Sequence, residues 1–178
     1  DNDHHVTLDA AESTHLGNSL KQLSKLGVDA VVATGDALSV ALGDGVQSLT
    51  GLPQFGDLDV TLTVDGLGQL GEASGAAGAL NAAGIDEVRL DLAETGSDGN
   101  FNDELGALLL GDGLQEAISD LTDAQVKFDT IDLGGSGVDG VVSIDQPQAL
   151  ELITAGLHFA DNDHHVTLDA AESTHLGN

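Results

Sequence analysis

The residues with the clearest chemical potential in this sequence are clustered acidic and amide side chains. The segment "SDGNFNDE" at 97–104 places five oxygen donors close together: Asp98, Asn100, Asn102, Asp103 and Glu104. Oxygen ligands at alternating positions can wrap a hard cation such as Ca²⁺. The sixth position of the loop is Asp103 rather than glycine and the twelfth is Leu109 rather than glutamate, so it is not an EF-hand. Two interpretations stay open: a calcium site, or a turn that leads into a capped helix.

A glycine-rich segment offers a second carboxylate. The sequence "GGSGVDGVV" at 134–142 resembles the nonapeptide of repeats-in-toxin proteins, in which glycines form the turn and an aspartate supplies a ligand. In that family successive copies share each calcium ion, and this chain carries one copy. Asp139 is therefore either part of a calcium site that a neighbouring unit completes or part of a plain glycine turn.

A third set of carboxylates follows short strand-like segments. The pattern apolar, any, apolar, Asp recurs along the chain and predicts strands that each end in an aspartate, at Asp9, Asp65, Asp91, Asp132 and Asp145. If these strands stack in register, the aspartates form a column with a spacing of about 4.8 Å. Such a column requires cations or backbone N–H groups between its charges. Calcium binding and capping of the following helices are both compatible with it.

The histidines form the last cluster. All seven lie in or beside the segment "DNDHHVTLDAAESTHLGN", which occupies residues 1–18 and recurs unchanged at 161–178. Within "HFADNDHH" at 158–165, four side chains could ligate a metal ion: His158, Asp161, Asp163 and His165. Their spacing matches no strong zinc motif, and a solvated polar loop is the alternative.

Composition narrows the function classes. The chain has 31 acidic and four basic residues, a net charge of −27, which argues against nucleic acid and anionic membranes as partners. It has no cysteine, and no apolar run approaches the roughly 20 residues of a membrane span. No G-x-S-x-G motif is present, and "GDGVQSLTG" and "GLGQLG" lack the Lys-Ser/Thr of a phosphate loop. We therefore expect no enzymatic activity and no membrane insertion.

The elements that carry these residues alternate between strands and helices. Leucine and alanine spacing predicts helices in the segments 18–27, 78–84, 103–121 and 146–156. Three of them end in the same way, with a glycine and then an apolar residue, in "KLGVD" at 25–29, "AAGID" at 82–86 and "TAGLH" at 154–158. This alternation predicts an α/β fold with short parallel strands. We expect an elongated, leucine-rich-repeat-like solenoid of strand–loop–helix units; a compact α/β bead in a tandem array is the alternative.

The recurrence at an offset of 160 residues sets the organisation of the chain. It predicts that residues 1–160 form one tandem-repeat period of about six strand–helix units and that residues 161–178 begin the next period. An engineered overlap, or an arbitrary window onto a filament, would also produce it. The absence of methionine, even at position 1, indicates a fragment or a processed product.

A family resemblance covers about half of the chain. The run "HHVTLDAAESTHLGNSLKQLSKLGVDAVVATGDALSVAL" from His4 to Leu42 resembles repeats of giant type I-secreted, calcium-binding bacterial surface proteins. The resemblance implies secretion and a role in adhesion, biofilm or a surface coat. We expect a structural repeat of an extracellular adhesin, surface layer or filament, stabilised by calcium, whose partners are neighbouring copies that can also assemble side by side. An acidic, calcium-dependent module that binds a protein or glycan is the alternative.

Overall fold

A parallel β-sheet and the helices that cover one of its faces form the core of the protein. The computed structural model describes residues 5–8, 13–14, 30–33, 37–42, 49, 51–92, 113–132, 142–144, 146–160 and 166–168. Ten strands lie within these ranges: β1 His5–Leu8, β2 Ser13–Thr14, β3 Ala30–Ala33, β4 Ala37–Ala41, β5 Asp59–Asp65, β6 Glu87–Asp91, β7 Lys127–Asp132, β8 Val142–Ile144, β9 His158–Phe159 and β10 Val166–Leu168. The strands predicted from the recurring aspartate pattern are confirmed.

The main sheet is open, and its strands follow one another in chain order. Its order is β2-β4-β5-β6-β7-β9, and every pair is parallel. The predicted α/β class with short parallel strands is therefore confirmed. The extension of this sheet into an elongated solenoid, and the division of a period into about six units, stay predictions.

Strand residues alternate between a buried and a partly exposed face. In β5, Val60, Leu62 and Val64 are fully buried, whereas the residues between them are half-buried. The register places Leu62 beside Val88 and Val64 beside Leu90, so the apolar side chains of neighbouring strands form continuous rows. Each such buried side chain contributes about 1.5–3 kcal/mol to folding. A sheet with this alternation has one covered face and one face towards solvent.

Four helices lie in the described ranges: α1 Gly66–Gly75, α2 Ala77–Ala83, α3 Gly113–Asp123 and α4 Gln146–Ala155. The last three lie where leucine and alanine spacing predicts helices. Residues 18–27 and 103–112 lie outside the described residues. Helix α1 was not predicted, because its four glycines lower its helix propensity and its sequence resembles a glycine-rich loop. Burial of Leu70 and Ala73 against the sheet outweighs that low propensity.

Three turns from helix to strand share one hydrogen-bonding geometry. Gly84 and Gly156 have φ angles of +87° and +75°, as the predicted glycine stops require. After each of them a buried residue donates its N–H to a carbonyl five residues earlier: Ile85 to Leu80 at 3.0 Å, and Leu157 to Leu152 at 2.9 Å. After α3 the same left-handed position is held by Gln125 at φ +64°. The glycine at 27 lies outside the described residues.

Two smaller parallel sheets contain the two copies of the first strand of the duplicated segment. In one, β1 pairs with β3; in the other, β10 pairs with β8. Strand β10 has the same sequence as residues 6–8 of β1. Within the ranges that the structure describes, none of the helices has the length and apolar character needed to cross a lipid bilayer.

Candidate functional site

The uncovered face of the main sheet carries most of the polar chemistry in the described part of the chain. We call it the polar face. Its residues lie in register across the strands in three rows, which are Ser39–Thr61–Glu87–Lys127, Ala41–Thr63–Arg89–Thr130–His158 and Asp65–Asp91–Asp132. Arg89 and Lys127 are the basic residues of the described ranges, and both lie on this face.

The third row is the column of aspartates that the sequence predicts. Asp65 is the register partner of Asp91, and Asp91 is the partner of Asp132. The prediction of an in-register column is therefore confirmed for these three residues. Like charges on adjacent strands repel one another unless a counter-charge lies close by.

Arg89 supplies a counter-charge to this row. It lies on β6, two residues before Asp91, and its guanidinium forms an ion pair and a hydrogen bond with Asp132 on β7. The two side chains are 33% and 18% exposed, so water screens the pair less than it would screen a fully exposed one. This diagonal pair neutralises one end of the aspartate row.

Helix capping, the alternative role for the row, is not realised at Asp65. This residue occupies the N-cap position of α1, but its side chain makes no capping hydrogen bond. Instead, its backbone N–H donates to the Gln69 side-chain oxygen at 2.9 Å. Gln69, one position beyond that of a capping-box residue, thus caps the backbone N–H of Asp65, and Asp65 also takes part in a further interaction.

A hydrogen-bonded chain of four residues lies at the end of the polar face. Lys127 Nζ lies 2.8 Å from Asp129 Oδ2, and the Thr130 hydroxyl donates to Asp129 Oδ1 at 2.9 Å. Thr130 Oγ1 lies 3.3 Å from His158 Nε2 on the next strand. Because the hydroxyl proton is given to Asp129, the hydroxyl oxygen is left to accept from the histidine.

This chain shifts two pKa values in opposite directions. Burial acts to raise the pKa of Asp129, but the hydrogen bonds from Lys127 and Thr130 and the charges of Lys127 and His158 outweigh it, so the pKa is lowered. The hydrogen bond to Asp129 raises the pKa of Lys127 against the opposing effect of burial, and the carboxylates of Glu87 and Asp129 add to the rise. Both groups are thereby held in their charged forms at neutral pH.

Asp86 ties together the beginnings of three strands, a role that the sequence analysis missed. Its carboxylate accepts from the backbone N–H of Val60 at 2.9 Å, and its own N–H donates to the Val60 carbonyl at 3.0 Å. Its carbonyl accepts from the N–H of Lys127 at 2.8 Å. The signal was present in the sequence, since Asp86 closes the "AAGID" turn that follows α2.

The last strand and helix of the main sheet form an apolar end. Leu150 and Ile153 on α4 are 62% and 73% exposed, unlike the other large hydrophobic residues whose burial the structure describes. Beside them is a shallow cavity of about 230 Å³ lined by Ala149, Leu152, Ile153, Leu157, His158 and Phe159. We call Leu150, Ile153 and this cavity the apolar end patch.

Of the sequence-predicted metal ligands, the structure describes Asp65, Asp91, Asp132 and His158. The others lie outside the described residues: Asp9, Asp98, Asn100, Asn102, Asp103, Glu104, Asp139, Asp145, Asp161, Asp163 and His165. Within the described residues, no group of three or more His, Asp or Glu side chains is arranged to hold a metal ion. Calcium binding by the acidic segments stays a prediction.

The polar face can hold charged groups in fixed positions, with acidic residues in excess over basic ones. The hydrogen bonds among Asp129, Thr130 and His158 hold these side chains in place, because Thr130 is only 9% exposed and donates its hydroxyl proton to Asp129. Comparisons with protein-family models, with curated protein sequences and with solved structures find no match. Function must therefore be argued from the architecture and the charges.

Proposed function

We propose that this chain is a structural repeat module of a giant extracellular bacterial surface protein, such as an adhesin, a surface layer or a filament. The observation that carries the proposal is the order of the main sheet. Each strand from β4 onwards pairs with the next main-sheet strand along the chain, always in parallel. A sheet built in this way can be lengthened at its end without rearranging the strands already placed.

The sequential order of the strands also suits a rod-shaped protein that transmits mechanical load along its length. Each strand–helix unit buries its apolar face against its neighbours, so the units share one core. In the described residues that core is continuous from Val31 to Leu157. On this proposal the fold extends as an elongated solenoid, in which residues 1–160 form one period and residues 161–178 begin the next. Neighbouring copies of the period are then the principal partners, and rods can also assemble side by side.

Calcium fits this role as a stabilising ion. The chain carries a net charge of −27, and self-repulsion of this size opposes compaction. The aspartate row and the acidic segment at 97–104 concentrate that charge, and the glycine-rich segment at 134–142 adds the carboxylate of Asp139. Extracellular calcium modules have dissociation constants of about 0.1–1 mM, which makes their folding dependent on export. We expect no catalytic activity.

The array proposal is tested by unfolding a two-period protein, residues 1–160 followed directly by residues 1–178. Coupled periods will raise the denaturant midpoint and steepen the transition relative to the 178-residue chain, because each junction adds an interface. A matched control carries a flexible Gly/Ser linker at the junction and should lose the gain. Identical midpoints and slopes in all three proteins would overturn the stacked array and favour independent beads. Immunodetection on intact cells tests the surface location.

An alternative function is supported by the uncovered polar face. A face with fixed charges, over which no helix of the described ranges lies, could engage a protein or glycan through calcium, as an acidic binding module. Glycan-array binding with and without chelator tests this function, and Asp91→Asn together with Asp129→Asn should abolish it. Binding that this double variant leaves unchanged would assign the partner to another surface.

A further inference from the structure

The duplicated strand pairs with a different neighbour at each of its two positions. As β1 it pairs in parallel with β3, so that Val6 lies beside Val31 and Leu8 beside Ala33. As β10 it pairs in parallel with β8, so that Val166 lies beside Val142 and Leu168 beside Ile144. The same three residues, Val-Thr-Leu, are thus matched to a strand that follows them and to a strand that precedes them.

We propose that in the assembled protein one Val-Thr-Leu strand makes both pairings at once and joins two periods. It lies between β8 of the preceding period and β3 of its own, in a three-stranded parallel sheet across the junction. This inference rests on the proposed tandem array and identifies the surface through which its copies meet. The strand has two edges, and each pairing needs one of them.

The two registers are compatible with a single strand. Three rows would result: Val142 with Val and Val31, Ser143 with Thr and Val32, and Ile144 with Leu and Ala33. The chain also advances by similar lengths on both sides, from residue 142 to 166 before the shared strand and from 6 to 31 after it. The strands at the joint are therefore separated along the sequence by about as many residues as β5 and β6 of the main sheet, where Thr61 pairs with Glu87.

The apolar end patch gives the joint a second contact. Leu150 and Ile153 lie on α4, which connects β8 with β9, at the end of the sheet where the next period begins. The segment of the next period that follows its copy of residues 1–18 is "SLKQLSKLG", in which Leu20, Leu23 and Leu26 have helical spacing. We expect this segment to cover the patch, because it is the first apolar segment with helical spacing that the continuing chain supplies.

Disulfide mapping tests the joint cleanly, because the chain has no cysteine of its own. Register partners in a parallel sheet lie close enough for a disulfide. In the 178-residue chain, the pairs Ser143→Cys/Thr167→Cys and Thr7→Cys/Val32→Cys should each oxidise, which shows that the fold tolerates them. In the two-period protein, the central threonine, which is the second period's copy of Thr7, is also replaced by cysteine. In one variant this cysteine should form a disulfide with Ser143→Cys of the first period. In a second variant it should do so with the second period's copy of Val32→Cys.

The yields decide whether one strand serves both neighbours. Both central disulfides should form almost completely under native conditions and only weakly in urea, as measured by mass spectrometry of digests. If the two pairings compete for one edge, each pairing exists in only a fraction of the molecules. The fractional yields of the two variants after brief oxidation will then sum to about one, and the proposal is overturned. A gain in the unfolding midpoint without the two disulfides would leave the array standing and reject this joint.

Substitutions at the apolar end patch give an independent readout. Leu150→Asp and Ile153→Asp should leave the 178-residue chain nearly unchanged but remove the midpoint gain of the two-period protein. Thr122→Asp, at an exposed position of α3, is the matched control and should keep the gain. If Leu150→Asp and Ile153→Asp also keep it, the patch is not part of the joint.

Discussion

Arg89 and Asp132 form an ion pair that runs diagonally across two parallel strands. The direct register partner of Asp132 is Asp91, and that of Arg89 is Thr130. The guanidinium therefore reaches past its own partner to the carboxylate at the end of the aspartate row. In a chain with four basic residues, the position of this one indicates that the row needs a fixed counter-charge.

Removing this counter-charge should destabilise the sheet. We expect Arg89→Met to lower the free energy of unfolding by about 1 kcal/mol, the upper range for partly exposed pairs, because three aspartates then face one another across β5, β6 and β7. Urea unfolding at low ionic strength measures the loss.

A double-mutant cycle with Asp132→Asn separates charge from packing. In the Asp132→Asn background, Arg89→Met should cost less than in the native chain, and high salt should narrow the difference. Equal costs in both backgrounds would show that the arginine contributes through its aliphatic stem alone.

The three turns from helix to strand provide a comparison within one molecule. Gly84→Ala should cost about 1–2 kcal/mol, because φ is +87° and the added Cβ would lie 3.4 Å from the Gly56 carbonyl oxygen. Gly156→Ala should cost less, because nothing lies within 4 Å of its Cβ and only the φ of +75° is unfavourable. Thermal unfolding ranks the two variants.

At the third turn, the corresponding substitution should raise stability instead of lowering it. Gln125 adopts φ +64°, which glycine adopts without steric cost. We expect Gln125→Gly to stabilise the protein by about 0.5–1 kcal/mol. Gln115→Gly, at an exposed helical position of α3, should destabilise it by about 1 kcal/mol. A loss of stability in Gln125→Gly would mean that this side chain makes contacts worth more than the backbone strain.

How far the sequence predicts the structure depends on the kind of signal. Alternation and a terminal aspartate identify β5, β6 and β7, and alignment of these strands at their last residue predicts the register of Asp65, Asp91 and Asp132. The register shift between β6 and β7, which falls between Glu87 and Arg89, was not predicted. Glycine followed by an apolar residue identifies the ends of α2 and α4. These signals are local, so a single sequence carries them.

Other features depend on tertiary contacts and could not be predicted in this way. Helix α1 forms from a glycine-rich segment because Leu70 and Ala73 are buried against the sheet. The diagonal reach of Arg89 and the three-strand contact of Asp86 depend on which strands become neighbours. The turn at Gln125 lacks a glycine, so the rule that finds the other two turns does not find this one.

The Lys127–Asp129 pair should make stability depend on pH at both extremes. Asp129 has a lowered pKa in the folded state, so its contribution is present above about pH 3.8 and is lost as the pH falls through the folded value. Lys127 has a raised pKa, so its contribution is present below about pH 10.5 and is lost as the pH rises through the folded value.

A substitution isolates this dependence. Between about pH 5 and 9, Asp129→Asn should lower the free energy of unfolding by about 0.5–1 kcal/mol. This difference between the native chain and the variant should disappear at strongly acidic and at strongly basic pH. Asp120→Asn, on the exposed side of α3, controls for the change in net charge. A gap that is constant across the whole pH range would assign the effect of Asp129 to packing rather than to charge.

The carboxylate of Asp86 should set the local stability of the beginning of β5. In Asp86→Ala the buried N–H of Val60 loses its acceptor, and we expect a cost of about 1–3 kcal/mol. Amide hydrogen exchange at Val60 should accelerate by about tenfold or more, since about 1.4 kcal/mol corresponds to a factor of ten. Asp86→Asn keeps an acceptor and should largely restore protection. Asp57→Ala, in the exposed turn before β5, should leave exchange at Val60 unchanged.

Calcium should stabilise the chain beyond the general effect of salt. If an acidic segment binds it, calcium at tenfold its dissociation constant adds about 1.4 kcal/mol and raises the melting temperature by several degrees. The comparison uses circular dichroism in calcium, in magnesium and in sodium chloride of equal ionic strength, each with and without chelator. Asp98→Ser with Asp103→Ser, or Asp139→Ser, should remove the calcium-specific part, whereas Asp57→Ser with Asp120→Ser should keep it. Melting curves that coincide in calcium and in chelator would show that the acidic segments act through solvation and turns alone.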